Sequence, residues 1–207
     1  MIYTYNKAHV GDVLMVIVAD DHGQALDYER QGNVARVYRE DNQETVGWNI
    51  FDVSQLVALD GVGQVFPSDV AIERLNQTLE EAGFVEKLEP DHGPHFVVGE
   101  IVAMEAHPDS DHLNICQVAV GSDCTVQIVA GAPNAEVGLK TIVALPGSMM
   151  PSGSLIFPGK LRGVDSFGMM CSPRELHLPN APQKRGIIEL SNAVVGEAFD
   201  PQKHWEA

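Results

Sequence analysis

The stretch PGKLRGVDSFGMMCSPREL, residues 158–176, decides how the second half of this chain is folded. Its glycines, Gly159, Gly163 and Gly168, recur at intervals of four and five residues, which opposes a helix because glycine is a poor helix former. Glycines at this spacing favour strand ends, bulges and tight corners, from which neighbouring side chains project into solvent. The stretch therefore predicts short strands joined by tight turns.

The same stretch and the residues that follow it carry a group of basic side chains. Five bases stand against two acids, Asp165 and Glu175, although the whole chain has a formal charge of −16. A local excess of positive charge on an acidic protein favours an anionic partner such as nucleic acid, and the alternative is an ordinary solvated surface. We call these bases the cationic cluster: Lys160, Arg162, Arg174, Lys184 and Arg185.

Composition and cysteine content bound the class of protein. Of the 207 residues, 44% are hydrophobic and 20% charged, as in folded globular proteins with room for two domains. The chain has no signal-like start, and no apolar run approaches the roughly 18 residues of a membrane span. The three cysteines form no C-x-x-C pair, which disfavours a disulfide framework or a zinc site. We therefore expect a cytoplasmic protein with reduced thiols and no membrane association.

The overall acidity limits what a nucleic-acid site in this chain can achieve. Residues 1–95 carry 17 acids and 6 bases, and the remaining residues carry 12 acids and 7 bases. Repulsion from a polyanion therefore acts at long range, before any local contact forms. We expect a nucleic-acid site to be local, of weak affinity and sensitive to salt.

Strand signals dominate the start of the chain. Segments 13–18, 34–38 and 45–53 have the length and composition of strands and are separated by polar turns, which predicts an antiparallel sheet with 13–18 leading into a hairpin. The histidines of this half, His9 and His22, are isolated in turn-like surroundings, and its acids are scattered. This half therefore shows no catalytic constellation.

One helix is predicted after Pro67. Ser68 or Asp69 can cap its start, apolar residues recur at intervals of three and four over 72–82, and Gly83 can end it in a left-handed conformation. Such a helix has one apolar face, which we expect to cover a face of the sheet.

A linker rich in proline and glycine, residues 88–95, separates two predicted domains. Residues 1–89 are expected to form an α+β domain with an antiparallel sheet and one helix, and residues 90–201 a closed β-barrel of the OB-fold type, so the chain is mainly β. An open sandwich is the alternative for the second domain. Its predicted strands are 96–104, 113–120, 125–130, 141–145 and 186–190.

Three blocks of the second domain resemble the tRNA-binding domain found near the N-terminus of the bacterial phenylalanyl-tRNA synthetase β chain. The same module occurs in EMAP-type tRNA-binding proteins and in extensions of methionyl-tRNA synthetase. With its front domain, the whole chain resembles the YtpR family of free-standing tRNA-binding-domain proteins. The blocks are VVGEIVAMEAHPDSDHLNICQVAVG (97–121), QIVAGAPNAEVGLKTIVALPGSMMPSG (127–153) and KLRGVDSFGMMCSPREL (160–176).

The resemblance implies an OB-fold that binds folded tRNA by shape and backbone and performs no catalysis. It implies no metal, no cofactor and no small-molecule substrate, and modules of this kind often work as pairs, so we expect a homodimer. The implied RNA-facing surface comprises Lys160, Arg162, Ser166 and Met169, with Asn134 in a bordering loop; Arg174 of the cationic cluster completes the expected site. Lysine, arginine and serine side chains suit phosphate and ribose oxygens, and an exposed methionine can pack on a base.

Two other functions remain open on the sequence alone. The same barrel can serve as a protein-binding or chaperone-like module, since a fold does not fix a function and strong acidity suits a basic partner. The N-terminal domain can also hold an enzyme site built from its acids or histidines. The sequence HPDSDH, residues 107–112, superficially offers metal ligands, but a proline turn stabilised by aspartate side chains explains it better.

Overall fold

The chain folds into two compact units, which this computed structural model describes over residues 1–205. The first unit is Met1–Gly93 and the second begins at Pro94. The domain limits drawn from the sequence, 1–89 and 90–201, stay predictions. No helix among the described residues is long and apolar enough to cross a membrane.

The first unit is an antiparallel sheet with one helix, as the sequence predicted, and the sheet has six strands. Its elements are β1 (Ile2–Tyr5), β2 (Val13–Ile17), β3 (Leu26–Gln31), β4 (Val34–Arg39), β5 (Thr45–Phe51), a 3₁₀ turn (Val53–Gln55), β6 (Gly63–Val65) and α1 (Asp69–Glu81). The strand order is β3-β4-β5-β2-β1-β6. Strand β2 pairs with β1 and β5 rather than with the next strand, so the hairpin expected after residue 18 was wrong. Strand β3 was not predicted because only Leu26 and Tyr28 of its six residues are apolar, and all six are exposed.

Helix α1 begins and ends where the sequence placed it. The Ser68 hydroxyl caps the helix by accepting a hydrogen bond from the Ala71 N–H at 3.3 Å. Gly83 follows the helix with φ of 90°, in the left-handed region that glycine adopts without strain. The apolar face of α1 is buried against the sheet through Ile72, Leu75 and Leu79.

The second unit is a curled five-stranded antiparallel sheet with an added hairpin. Its elements are β7 (Phe96–Ala106), β8 (Asn114–Gly121), β9 (Cys124–Ala130), β10 (Lys140–Ala144), β11 (Gly159–Leu161), β12 (Val164–Ser166), β13 (Met169–Met170) and α2 (Pro201–His204). The sheet order is β13-β10-β7-β8-β9, and β11 pairs only with β12. The Phe167 N–H, just before β13, donates to the Gln127 carbonyl of β9 at 2.8 Å. The two edges of the sheet therefore meet, which gives the barrel-like closure of an OB-type fold.

The predicted strand 186–190 is not a strand of this sheet. β13 pairs with β10 instead, and the later segment adds an isolated bridge through Leu190, whose N–H donates to the Lys140 carbonyl at 2.9 Å. Gly186 has φ of 146°, and the Ile187 N–H binds the Asn134 side chain rather than a neighbouring strand. The segment therefore runs along the barrel as an irregular wall.

Tight packing inside the barrel requires glycine at position 99. A Cβ added to Gly99 would lie 2.6 Å from Val143 Cγ2 and 2.8 Å from Val118 Cγ1. We expect Gly99→Ala to lower the free energy of unfolding of the second unit by roughly 1–3 kcal/mol, because the packed valines must shift. Differential scanning calorimetry of the intact chain measures this effect. Gly159→Ala is the matched control, since no atom lies within 4 Å of its Cβ position and its φ is not positive; an equal loss in both variants would contradict the packing argument.

Candidate nucleic-acid interface

The β11–β12 hairpin presents two members of the cationic cluster. Leu161 and Val164 close a two-residue turn formed by Arg162 and Gly163, whose φ values are 47° and 84°. Positive φ at both central positions matches the twist of a two-residue hairpin and directs the Arg162 side chain away from the strands. Its Nη1 donates to the Asp109 carbonyl at 2.8 Å, while the residue itself remains exposed.

A small apolar cluster docks the hairpin on the outer face of the barrel. Val164 packs against Leu113, Ile115 and Val129, which are buried residues at the start of β8 and in β9. The Val129 N–H donates to the Ser166 hydroxyl at 3.1 Å. Ser166 was predicted to face RNA, and the structure uses its hydroxyl oxygen to join the hairpin to β9.

A histidine of the 107–112 turn fastens the tip of the hairpin. His107 is 3% exposed, its Nδ1 accepts from the Asp109 N–H at 3.0 Å, and its Nε2 lies 3.2 Å from the Leu161 carbonyl. Because Nδ1 accepts, the proton belongs on Nε2, which donates to Leu161. Both ring nitrogens are thus bound to protein atoms, and the described residues contain no group of three or more potential metal ligands.

Lys160 is only partly available to an anionic partner. Its Nζ lies 3.5 Å from Asp165 Oδ1 on the opposite strand, and both side chains are more than half exposed. An ion pair this exposed is weak, so a phosphate can compete with Asp165 for the ammonium group.

The rest of the cationic cluster lines a groove on the same unit. Its first lobe has a volume of about 400 Å³ and contains Met169, Arg174 and Arg185. Its second lobe, of about 200 Å³, contains Lys184 and Trp205. The lobes share Arg185, Gly186 and Ile187, so they adjoin along the irregular wall.

The groove contains both basic and acidic side chains, so it favours an anion only beside its basic residues. Arg174 and Arg185 are exposed, and neither is ion-paired with a carboxylate within residues 1–205. The first lobe also contains Glu175, whose Oε2 accepts the Ser172 N–H at 2.7 Å. In the second lobe Glu189 Oε1 accepts from Asn134 at 2.7 Å. Three cations therefore face two carboxylates that each already hold a donor.

Asn134 holds the wall of the groove in place. Its Nδ2 donates to the Ile187 carbonyl at 3.0 Å and its Oδ1 accepts the Ile187 N–H at 2.9 Å. These two hydrogen bonds resemble those between neighbouring strands. The amide group of Asn134, which was predicted to border the RNA, is therefore engaged within the protein. The structure thus gathers Met169 and Arg174 in one groove, places Lys160 and Arg162 on the hairpin, and engages Ser166 and Asn134 in internal bonds.

Two groove residues lay outside the sequence-based site. Arg185 was recognised only as a member of the cationic cluster, and no signal linked Trp205, near the chain end, to the barrel. The Trp205 indole Nε1–H donates to the Pro179 carbonyl at 2.7 Å, which fixes the ring at the second lobe.

A cluster of charged and polar side chains, Glu197, Lys203 and His204, follows the barrel and positions Trp205; we call it the Glu197 clasp. The Glu197 carboxylate binds Lys203, and its Oε1 lies 2.8 Å from His204 Nε2. The His204 ring accepts the Asp200 N–H at 3.0 Å through Nδ1, so Nε2 is the donor to Glu197. Hydrogen bonds from Lys203, the Val194 N–H and His204 hold the pKa of Glu197 at about 2.

The first unit has a polar cluster around Asp12. Its carboxylate accepts hydrogen bonds from the Ser54 hydroxyl at 2.6 Å and from the Tyr5 hydroxyl at 2.8 Å, and Lys7 lies 3.1 Å from Ser54 Oγ. These donors, Ser54 foremost, hold the pKa of Asp12 below its usual range. The carboxylate is therefore a weak base, and the cluster ties the β1–β2 loop to the 3₁₀ turn.

Buried thiols give no sign of an activated nucleophile. Cys171 is fully buried beside β13, and burial raises its pKa to about 12. Such a thiol stays protonated at neutral pH, whereas a nucleophilic cysteine needs an accessible thiolate.

Comparison with known proteins shows the family. A protein described as "Putative tRNA-binding protein YtpR" from Bacillus subtilis is 42% identical over 196 residues, covering 94% of this chain and 97% of that protein. The chain belongs to the YtpR family. Residues 96–197 of this YtpR-family chain match the profile described as "Putative tRNA binding domain", and residues 21–91 match "Domain of unknown function (DUF4479)".

Other relatives of the YtpR-family chain match a smaller part of it. The phenylalanine–tRNA ligase beta subunit of Dechloromonas aromatica is 44% identical over 61% of this chain but 16% of its own length. That of Rhodospirillum rubrum is 51% identical over 46% of this chain and 12% of its own. The chain thus spans a small part of these subunits. The solved C-terminal domain of Plasmodium vivax p43 aligns with a TM-score of 0.35 and 22% identity over 49% of this chain and 56% of that one.

The Asn134 bonds predict a structural role. We expect Asn134→Ala to lower the free energy of unfolding of the second unit by about 1–3 kcal/mol, because the Ile187 N–H and carbonyl lose their partners in a half-buried place. Chemical denaturation of the intact chain measures the loss. Asn192→Ala, at an exposed position, is the control; equal stability of both variants would contradict this role.

The Glu197 clasp predicts a pH dependence. Because the folded pKa of Glu197 lies below its ordinary 4.5, the clasp stabilises the fold fully above that pH and loses its effect as the pH falls through about 2. The difference in melting temperature between the native chain and Glu197→Gln is therefore expected to be largest near neutral pH and to shrink below about pH 4. A constant difference from neutral pH down to the acid limit would show that the carboxylate charge is not responsible.

Proposed function

We propose that this chain binds tRNA through its second unit, reading the shape and backbone of the folded RNA and performing no chemical step. The observation that carries the proposal is the docked hairpin, which holds Lys160 and Arg162 outward on the domain whose relatives are named for tRNA binding. Phosphate oxygens are the natural ligands of such side chains.

The charges of the chain determine the expected affinity for tRNA. Two hairpin cations, one of them sharing its charge with Asp165, act against a chain of net charge −16. Neutralising two to four phosphates corresponds to a slope of about −2 to −4 in log K against log salt. Binding is therefore weak at physiological salt and tighter as salt is lowered.

Three further features belong to the same proposal. The chain acts in the cytoplasm, where its reduced thiols are stable and tRNA is abundant. It works as a homodimer, which doubles the number of phosphate contacts on one RNA. Its acidic surface opposes non-specific RNA binding, so the basic hairpin limits contact to one face.

A charge-removal variant tests the proposed surface. Lys160→Ala with Arg162→Ala is expected to weaken tRNA binding by roughly 1–3 kcal/mol and to flatten the salt slope by about two, because two phosphate contacts are lost. Fluorescence anisotropy with tRNA across salt concentrations measures both quantities.

The control removes the same two residue types from the first unit. The side chains of Arg74 and Lys87 are 42% and 63% exposed, and Arg74→Ala with Lys87→Ala changes the net charge by the same amount. Equal weakening by both double variants would mean that net charge alone matters and that the hairpin is not the site. Saturable binding of a protein client without any tRNA binding at low salt would replace the proposal with the protein-binding function.

A further inference from the structure

The groove beside the hairpin has a chemistry that backbone binding does not need. Its first lobe combines exposed guanidinium groups with an apolar floor that includes Met169, Val129 and Ile187. Its second lobe places an aromatic ring, Trp205, beside Lys184. A surface that only holds phosphates needs cations and neutral hydrogen-bond donors, but no apolar or aromatic side chains.

The combination suits a nucleotide with a free base. Unpaired bases are recognised by stacking on aromatic rings or guanidinium planes, while the linked phosphate binds cations. Arg185 borders both lobes, so it can reach a phosphate between two bases. A lobe of about 400 Å³ lies within the ordinary range of small-ligand pockets, roughly 300–1,000 Å³.

The groove is also held in a fixed shape before any ligand arrives. Asn134 fixes the wall at Ile187 through two hydrogen bonds, and a bond to the Pro179 carbonyl fixes the Trp205 ring. Arg185 Nη2 lies 3.4 Å from the Gly131 carbonyl on the facing wall. A preorganised groove loses less conformational entropy on binding, which favours capture of a short, flexible strand.

We propose that this two-lobed groove binds one or two unpaired nucleotides of RNA, with Arg174 and Arg185 on phosphate and Trp205 against a base. The inference rests on the proposed tRNA function and assigns a second, separate task within it. The hairpin contacts the backbone of the folded RNA, and the groove holds a single-stranded end or loop.

The test uses the intact chain and the single-stranded RNA trinucleotide CCA, the unpaired end of mature tRNA. Binding is followed by ¹H–¹⁵N NMR. The chain has two tryptophans, so this spectrum has two indole N–H signals, from Trp48 and Trp205. CCA is expected to shift the Trp205 signal saturably and to leave that of the buried Trp48 unchanged. Arg174→Ala and Arg185→Ala are each expected to weaken CCA binding by about tenfold, since each removes a charge-assisted bond to phosphate. The double variant Arg74→Ala/Lys87→Ala is the control and is expected to bind CCA as the native chain does.

Two ligand controls separate the sources of the signal. Inorganic phosphate and triglutamate are titrated over the same concentrations as CCA. An equal shift with phosphate would reduce the groove to an anion site, and an equal shift with triglutamate would assign it to acidic peptides; either outcome overturns the inference. Unchanged CCA binding in both arginine variants would also overturn the inference. The methyl signals of the NMR spectrum show whether these variants are folded.

The outcome also separates this inference from the proposed function. If tRNA binds and the hairpin double variant weakens it, but CCA leaves Trp205 unmoved, the groove inference is wrong and the proposed function stands. If intact tRNA fails to bind at low salt while CCA binds, the groove is a nucleotide site and the proposed tRNA function falls.

Discussion

The docking of the β11–β12 hairpin on the outer face of the barrel is the interaction on which the candidate site depends. Val164 covers Leu113, Ile115 and Val129, and removing those side chains from water supplies the driving force. Hydrogen bonds fix the register around this contact, from Val129 to Ser166 and from His107 to Leu161. Without this contact the hairpin would be an isolated two-stranded ribbon, which is marginally stable in water.

The docked hairpin also explains a division of labour among the polar residues. Ser166, His107 and Asn134 have the chemistry to bind RNA, yet each is used to hold a loop or strand in place. Arg174 and Arg185, which have no carboxylate partner among the described residues, remain exposed, as does Lys160, whose ion pair is weak. A frame of internal bonds thus presents a few exposed cations to solvent, which is the arrangement expected where long side chains must meet a phosphate backbone.

The sequence predicted most of the fold because the fold follows local patterns. Helix α1, strands β7 to β10 and the mainly β architecture all come from periodicity and turn residues. The site was harder, since the partner of a side chain depends on tertiary contacts: nothing near Ser166 in sequence points to the Val129 N–H. The same limit hid Trp205, which reaches the barrel through the bond to the Pro179 carbonyl and through packing on an apolar cluster of the second unit. Strand 186–190 was mispredicted because its apolar residues fit either a strand or an irregular wall.

Strand β3 has a consequence for how the protein behaves at high concentration. It is the last strand of the front sheet, so the N–H and carbonyl groups on its outer side have no neighbouring strand among the described residues. Such an edge is a template for aggregation. Asp27, Glu29 and Arg30 lie along it, and charged side chains of this kind discourage unwanted strand addition. The charges on β3 therefore oppose the addition of a strand from a second chain at this edge.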